Sequence, residues 1–388
     1  MNSPTPNSQL PTPPRRILVR GVNWLGDAVM TTPALLRLRE QFPTAHITLL
    51  TAEKLRELWL HHPAVDEIIS FTAEDSVWRV SKKLRAGNFD LALVLPNSPR
   101  SALEVFLARI PQRIGYARAW RNFFLTRAIP TPPGHVQMHK RSLAEIQQLL
   151  AAPTPNSQLP TPAPAAHQLH EYLHLAAALG ANPEPLAPQL AVLPEEIAAA
   201  KEKFGLAQIT APIFGLNPGA EYGAAKRWPA EKFLAAAREI QAQTNCHWLI
   251  FGGKNDRELA GKIAAATQNS KLKTQNLSGA TTLRELMALL KLCRVVLTND
   301  TGPMHVAAAL GTPVVVPFGS TSPELTGPGM PEVRDQRSEV GNAALRHMLL
   351  KSDAPCAPCF LRECPIDFRC MNGISVERVV AAVLAAAK

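Results

Sequence analysis

No stretch of this chain approaches the roughly 18 uninterrupted apolar residues that a membrane-spanning helix requires. Its first residues, MNSPTPNSQLPTPPRR, lack the apolar core of a signal peptide. Both absences predict a cytoplasmic protein without a transmembrane segment. The nucleotide-binding fingerprints are also missing. There is no GxGxxG after the first predicted strand, which disfavours a nicotinamide dehydrogenase. Gly21 and Gly26 have the G-x4-G spacing of a phosphate-binding loop, but Asp27 and Ala28 stand where that loop needs Lys and Ser or Thr. An aspartate there would repel a phosphate. No RNA- or DNA-binding motif is present either, so nucleic acid is not an expected partner. Cysteines are few, and Cys246 and Cys293 lie in apolar surroundings where a thiol behaves as a small hydrophobe.

What is there is enough for two soluble domains: 388 residues, 46% hydrophobic and 19% charged. The net charge of +10 is uneven, because residues 1–150 hold 19 Lys and Arg against 11 Asp and Glu, and the rest holds 22 against 20. Between Arg100 and Arg141 stand eight basic residues and a single acid, Glu104. Such a run is either a solvated basic face or the footprint of an anionic partner such as a phosphorylated lipid or an acidic sugar.

One decapeptide, PTPNSQLPTP, occurs at Pro4–Pro13 and again at Pro153–Pro162. Its prolines cannot donate to a helix or sheet, and each copy offers a core only one leucine, so both are read as extended segments without chemistry. They define a tail over residues 1–14 and an insertion at about residues 150–166. Elsewhere short β-rich runs alternate with helical patterns. The predicted strands are Ile17–Gly21, His46–Thr51, Asp66–Phe71, Leu91–Pro96 and Arg113–Tyr116, then Ile213–Asn217, Trp248–Gly252, Gln275–Ser278, Val295–Asn299 and Val314–Phe318. Helices such as Ala28–Gln41 separate them. This alternation predicts an α/β fold of two doubly wound Rossmann-like domains, residues 15–181 and 195–373, joined by a linker at 182–194 and facing a cleft. A final helix follows at 374–388.

In open α/β sheets ligands bind at the carboxyl ends of the strands, so the loops there carry the candidate chemistry. The first is RGVNWLGDAVMTTP, Arg20–Pro33, which places Asp27 just after the first strand. A carboxylate at a helix start is commonly an N-cap. The alternative is a general base, kept ionised by the helix amides, that accepts a proton from a sugar hydroxyl. The second loop is LNPGAEYGAAKRWP, Leu216–Pro229. Gly219 and Gly223 permit close backbone approach, and Lys226 supplies a compact charge able to neutralise a diphosphate leaving group. A flexible basic loop is the plainer reading. The third is VVLTNDTGPMHVAAALG, Val295–Gly311, where Pro303 suits a first helical turn and the amides around Thr301 and Gly302 stay available to an anion. His305 falls near the same helix end, either as a donor to a phosphate oxygen or as a structural histidine.

Taken together, these segments resemble the lipopolysaccharide heptosyltransferases of glycosyltransferase family 9, most of all their type II members. The matching stretches are ILVRGVNWLGDAVMTTPAL, LPNSPRSAL, NPGAEYGAAKRWP, NDTGPMHVAAALGTP and CAPCFLRECPIDFRCM. The resemblance implies a GT-B architecture, with an acceptor bound by the N-terminal domain and a nucleotide sugar by the C-terminal one. It implies inverting transfer of L-glycero-D-manno-heptose from ADP-heptose to the heptosyl-Kdo inner core of lipopolysaccharide, at the cytoplasmic face of the inner membrane, with no required cofactor or metal. Asp27 falls on the family's general base and Lys226 on its phosphate-binding lysine. Asn217, Gly219, Asp300, Thr301, Gly302 and His305 fall in its donor-binding segments. A donor-contacting acid is expected after the second C-domain strand, where Asp256 and Glu258 both qualify. Arg100, Arg113, Arg118 and Arg121 are the acceptor-side candidates.

The insertion near Pro153 departs from the family pattern. The cysteines Cys356, Cys359, Cys364 and Cys370 recur in the type II pattern. Their C-x2-C-x4-C-x5-C spacing admits a zinc site, but it lacks a second CxxC, and core packing or a redox-sensitive cluster are the alternatives. A type I or III enzyme adding another sugar, and a nucleotide-sugar-binding protein without catalysis, are the competing functions.

Overall fold

The computed structural model describes residues 13–132, 135–151, 166–268, 273–329 and 347–388. Apart from Pro13, both decapeptides lie outside these residues. The chain forms two compact units. One runs to His135 and resumes as far as Ala191, and the other takes residues 136–151 and everything from Val192. Residues 136–151 thus leave the domain that their sequence position suggests. The reason is local: Ile146, on the helix Leu143–Ala151, buries its side chain against Cys356 and Cys359.

The first unit contains β1 (Arg16–Arg20), β2 (His46–Ala52), β3 (Glu67–Phe71), β4 (Leu91–Val94), β5 (Gln112–Tyr116) and β6 (Arg127–Ile129). All pair in parallel, in the order β3-β2-β1-β4-β5-β6. The central β1 and β4 are covered on both faces, and their sequences RILVR and LALV are accordingly near-continuous apolar runs. The second unit repeats the plan with β7 (Ile213–Asn217), β8 (His247–Ile250), β9 (Thr274–Asn276), β10 (Val295–Thr298), β11 (Val314–Phe318) and β12 (Met348–Lys351), ordered β12-β11-β10-β7-β8-β9. In each sheet the first strand lies beside the fourth, the point at which the winding reverses. The edge strands β6 and β12 escape the sequence reading. They are only 3 and 4 residues long, and an edge position relaxes the demand for apolar residues.

The helix expected at Ala28–Gln41 is two helices, Leu25–Met30 and Thr32–Gln41. Pro33 has no amide to offer the Val29 carbonyl, and the Thr32 hydroxyl donates to that oxygen instead, at 2.8 Å. The first helix also begins before Asp27, at Leu25.

Under the first sheet Arg20, 2% exposed, donates from Nε to Glu104 Oε2 at 2.9 Å, and Arg100 Nε meets Oε1 of the same carboxylate at 3.0 Å. Burial lowers the Arg20 pKa and Glu104 opposes that shift. Glu104→Gln keeps the shape but strands the Arg20 charge, so it should cost about 3 kcal/mol in urea unfolding.

His62 is buried, accepts the Ala64 amide at Nδ1, and has its pKa pushed down to about 4 by burial. The unfolded chain, with a histidine near 6.5, takes up the proton first. Stability is therefore whole above that value and falls as pH drops towards 4, by up to about 3 kcal/mol from this residue. Urea unfolding across that window should show a shallower pH slope for His62→Asn than for the wild type.

Candidate functional site

In the second unit the strand ends β7 and β10 lie in register, Asn217 against Thr298. Asn217 Nδ2 donates to Thr298 Oγ1 at 3.1 Å. Asn299, fully buried, reaches across: its Nδ2 donates to the Pro218 carbonyl at 2.8 Å, and its Oδ1 accepts the Trp228 amide at 3.0 Å. One side chain thereby fixes both ends of the loop 218–228. Asp300 follows, 4% exposed. Its Oδ2 accepts from Lys226 Nζ at 2.7 Å and from the Thr321 hydroxyl at 2.6 Å. The Lys226 ammonium also stands 4.9 Å over the Tyr222 ring. The helix Gly302–Ala309 starts here, with Thr301 at its N-cap position and Pro303 in its first turn. The Thr301 hydroxyl makes no capping bond, and His305 is buried one turn in.

Of the two candidate acids, Asp256 belongs to this edge. A Cβ on Gly219 would fall 2.3 Å from the Asp256 carboxyl carbon, so only glycine leaves room for that side chain. The carboxylate also accepts the Gly253 amide at 3.0 Å and faces Arg227 at 3.6 Å. Glu258 points to solvent and pairs with Lys262 at 2.7 Å, a partner that lowers its pKa. Gly223 has a comparable constraint, because a Cβ there would lie 2.2 Å from the Arg362 carbonyl oxygen.

The cysteine segment backs this loop. Tyr222 donates to the Phe360 carbonyl at 2.9 Å, and the Ala225 amide to that of Arg362 at 2.9 Å. Cys356, Cys359, Cys364 and Cys370 are free thiols. Burial raises Cys356 and Cys359, and pushes Cys370 up to about 12. Among the described residues no three His, Cys, Asp or Glu side chains are grouped to hold a metal ion.

In the first unit Asp27 is the third residue of the helix Leu25–Met30, whose N-cap is Trp24. It is thus a first-turn acid rather than the N-cap residue. Tyr172, buried on the helix Leu169–Ala177, has its phenol pushed well above the ordinary value by burial and then by the Asp27 charge. The four arginines separate. Arg121 is fully buried, donates to the Pro96 carbonyl at 2.8 Å, and finds no partner for Nε or one Nη. Burial and then Arg118 lower its pKa to about 10. Arg118 lies beside it in the loop after β5, over the Tyr116 ring at 5.6 Å. Arg100 is held by Glu104 and by the Asp75 carbonyl. Arg113, the second residue of β5, lies towards the opposite edge of the sheet and is occupied by the carbonyls of Phe124 and Ile110.

Sequence reading missed Thr321 and Tyr222. Both had a signal, a hydroxyl-rich GSTS turn after β11 and an aromatic within the glycine-rich loop, but pairing Tyr222 with Lys226, or Thr321 with Asp300, needs the fold.

Residues 77–366 match the model of glycosyltransferase family 9 (heptosyltransferase). The lipooligosaccharide heptosyltransferase 2 of Haemophilus ducreyi is 32% identical, covering 81% of this chain and 86% of its own. The lipopolysaccharide heptosyltransferase 2 of Escherichia coli is 30% identical, covering 87% and 91%. The solved structure of the E. coli ADP-heptose lipopolysaccharide heptosyltransferase II superposes with a TM-score of 0.73 at 26% identity, covering 96% of this chain and 98% of that one. The GT-B class expected from the sequence is the class observed.

Gly219→Ala should force Asp256 out of its rotamer, at a cost of about 1 kcal/mol, and weaken ADP binding roughly fivefold in calorimetry. Unchanged affinity would show that Asp256 takes no part in nucleotide binding.

Proposed function

The chain belongs to glycosyltransferase family 9, the heptosyltransferases, and from that membership we propose that it transfers L-glycero-D-manno-heptose from ADP-heptose to the heptosyl-Kdo inner core of lipopolysaccharide, with inversion. The observation that carries this reading is the cation held at the β7–β10 strand ends. An ammonium has three donors, and Asp300 takes one of those of Lys226, which leaves the others for a diphosphate. The amides at the start of the helix Gly302–Ala309 add positive potential at the same edge. Asn217, Gly219, Asp256, Thr301 and His305 complete the donor side.

On the acceptor side, the hydroxyl oxygen attacks the anomeric carbon as its proton passes to Asp27 and the bond from that carbon to the diphosphate oxygen breaks. Lys226 meets the charge that develops on departing ADP. Arg118 and Arg121 suit the acidic sugars of the inner core, and Arg100 stands in the first turn of the helix Pro99–Leu107 that follows β4. Arg113 is left out of this set because its position and carbonyl partners make it a brace for the β5–β6 connection. The protein acts at the cytoplasmic face of the inner membrane as a peripheral enzyme; no helix among the described residues is long and apolar enough to cross a bilayer.

Incubation with ADP-heptose and either heptose-free or one-heptose core should add one heptose to the latter, read by mass. Gain on the heptose-free core instead would point to a type I activity. Asp27→Asn should bind ADP like the wild type and transfer at least roughly a hundredfold more slowly, the scale of a lost general base. Equal transfer would withdraw Asp27 as the base.

A further inference from the structure

The six tryptophans divide into two sets. Trp59, Trp228 and Trp248 are at most 2% exposed, whereas Trp24, Trp78 and Trp120 are 45%, 68% and 91% exposed. An indole left in water is unusual for so large an apolar group. All three exposed rings belong to the first unit, and the topology brings them to one edge of its sheet. Trp24 follows β1, Trp78 opens the helix Val77–Arg85 after β3, and Trp120 lies in the loop after β5. In the order β3-β2-β1-β4-β5 these exits span four strand spacings, about 19 Å, with Asp27 near the middle.

Trp120 has φ of +62°, a left-handed backbone that a bulky residue adopts at a cost, so its projection from the loop is imposed by the surrounding structure. The neighbouring Arg121 supplies that constraint through its bond to the Pro96 carbonyl. Phe123 beyond it is 81% exposed. Charge accompanies the rings. Lys54 stands 5.7 Å over Trp24, Arg79 follows Trp78, and Arg118 precedes Trp120. Glu53 and Glu74 are the exposed acids of the same loops, and Asp75 is neutralised by Arg79 and Lys83.

We propose that this strand-end face of the first unit is a docking surface for an anionic lipid bilayer, with Trp78 and Trp120 seated among the head groups. Indole rings favour the interface because one end is apolar and the other a hydrogen-bond donor, and basic side chains beside them meet the anionic lipids of a cytoplasmic leaflet. Docking here brings the edge that carries Asp27 to the surface holding a lipid-borne acceptor. The inference names the membrane-facing part of the function proposed above and rests on that reading for its purpose, though not for its test.

The test is sedimentation of the full chain with phosphatidylcholine vesicles, with and without phosphatidylglycerol, and no acceptor present. Trp78→Gln suits an exposed helix and Trp120→Asn suits a left-handed backbone, so the double variant should fold, as checked by circular dichroism. The wild type should bind the phosphatidylglycerol vesicles and bind pure phosphatidylcholine weakly. The double variant should lose at least about tenfold in partitioning while transferring to a soluble deacylated core at the wild-type rate. Equal partitioning of variant and wild type, or no binding by either, overturns the proposal. Parallel loss of transfer to the soluble core overturns it in favour of rings that stack on acceptor sugars. A concentration-dependent dimer that the substitutions abolish would assign the face to a second copy. Vesicle binding without any heptose transfer would sink the proposed reaction and leave the docking surface standing.

Discussion

Parallel strand pairing is the constraint on which everything else in this protein rests. Parallel neighbours need a crossover that carries the chain back to its starting edge, so every strand of a sheet exits at the same edge. Hydrogen bonding along β1–β4 and β7–β10 therefore decides which distant loops become neighbours. Asn299 can tie down the loop 218–228, and Thr321 can share the Asp300 carboxylate with Lys226, only because β7, β10 and β11 leave their sheet side by side.

The two units use buried charge differently. In the first, Glu104 is saturated by Arg20 and Arg100, an arrangement that fixes β1 against the helix Pro99–Leu107 and leaves little capacity for a ligand. In the second, the Lys226–Asp300 pair is 14% and 4% exposed at its side chains, so the cation still reaches solvent. Such a pair is satisfied on one side and open on the other, so the ammonium is fixed in position while its remaining donors stay free of the core. Arg121 stands between these cases, deeply buried yet with donors unmet by any described residue.

The cysteine segment gains a structural meaning from the same geometry. The Phe360 amide donates to the Ser320 carbonyl, and the chain then runs across Tyr222 and Gly223, so residues 359–362 form the wall behind the glycine-rich loop. Burial of the thiols raises their pKa values, which suits packing better than nucleophilic chemistry. The crossover segment 136–151 is held to the second unit through the same cysteines, and the Arg141 amide donates to the Cys359 carbonyl.

The sequence alone determined the class of fold and the family, because central parallel strands must be continuous apolar runs and because strand-end loops carry residue types that their chemistry dictates. Ile213–Asn217 and Val314–Phe318 were legible to the residue for that reason. It also offered Asp27, Lys226 and the Asn299–Pro303 corner as candidates, each in the segment that follows a readable strand. Only the tertiary structure decided what depends on neighbours far along the chain. It separated Asp256 from Glu258 by seating one carboxylate over Gly219, and it set Arg113 at the opposite sheet edge, on the carbonyls of Phe124 and Ile110. It showed Asp27 to be a first-turn residue, since the first helix starts at Leu25 and ends at Met30, ahead of Pro33. Local pattern records how a residue meets its own element; partners 74 residues away, such as Lys226 and Asp300, are set by strand order, which no local periodicity encodes.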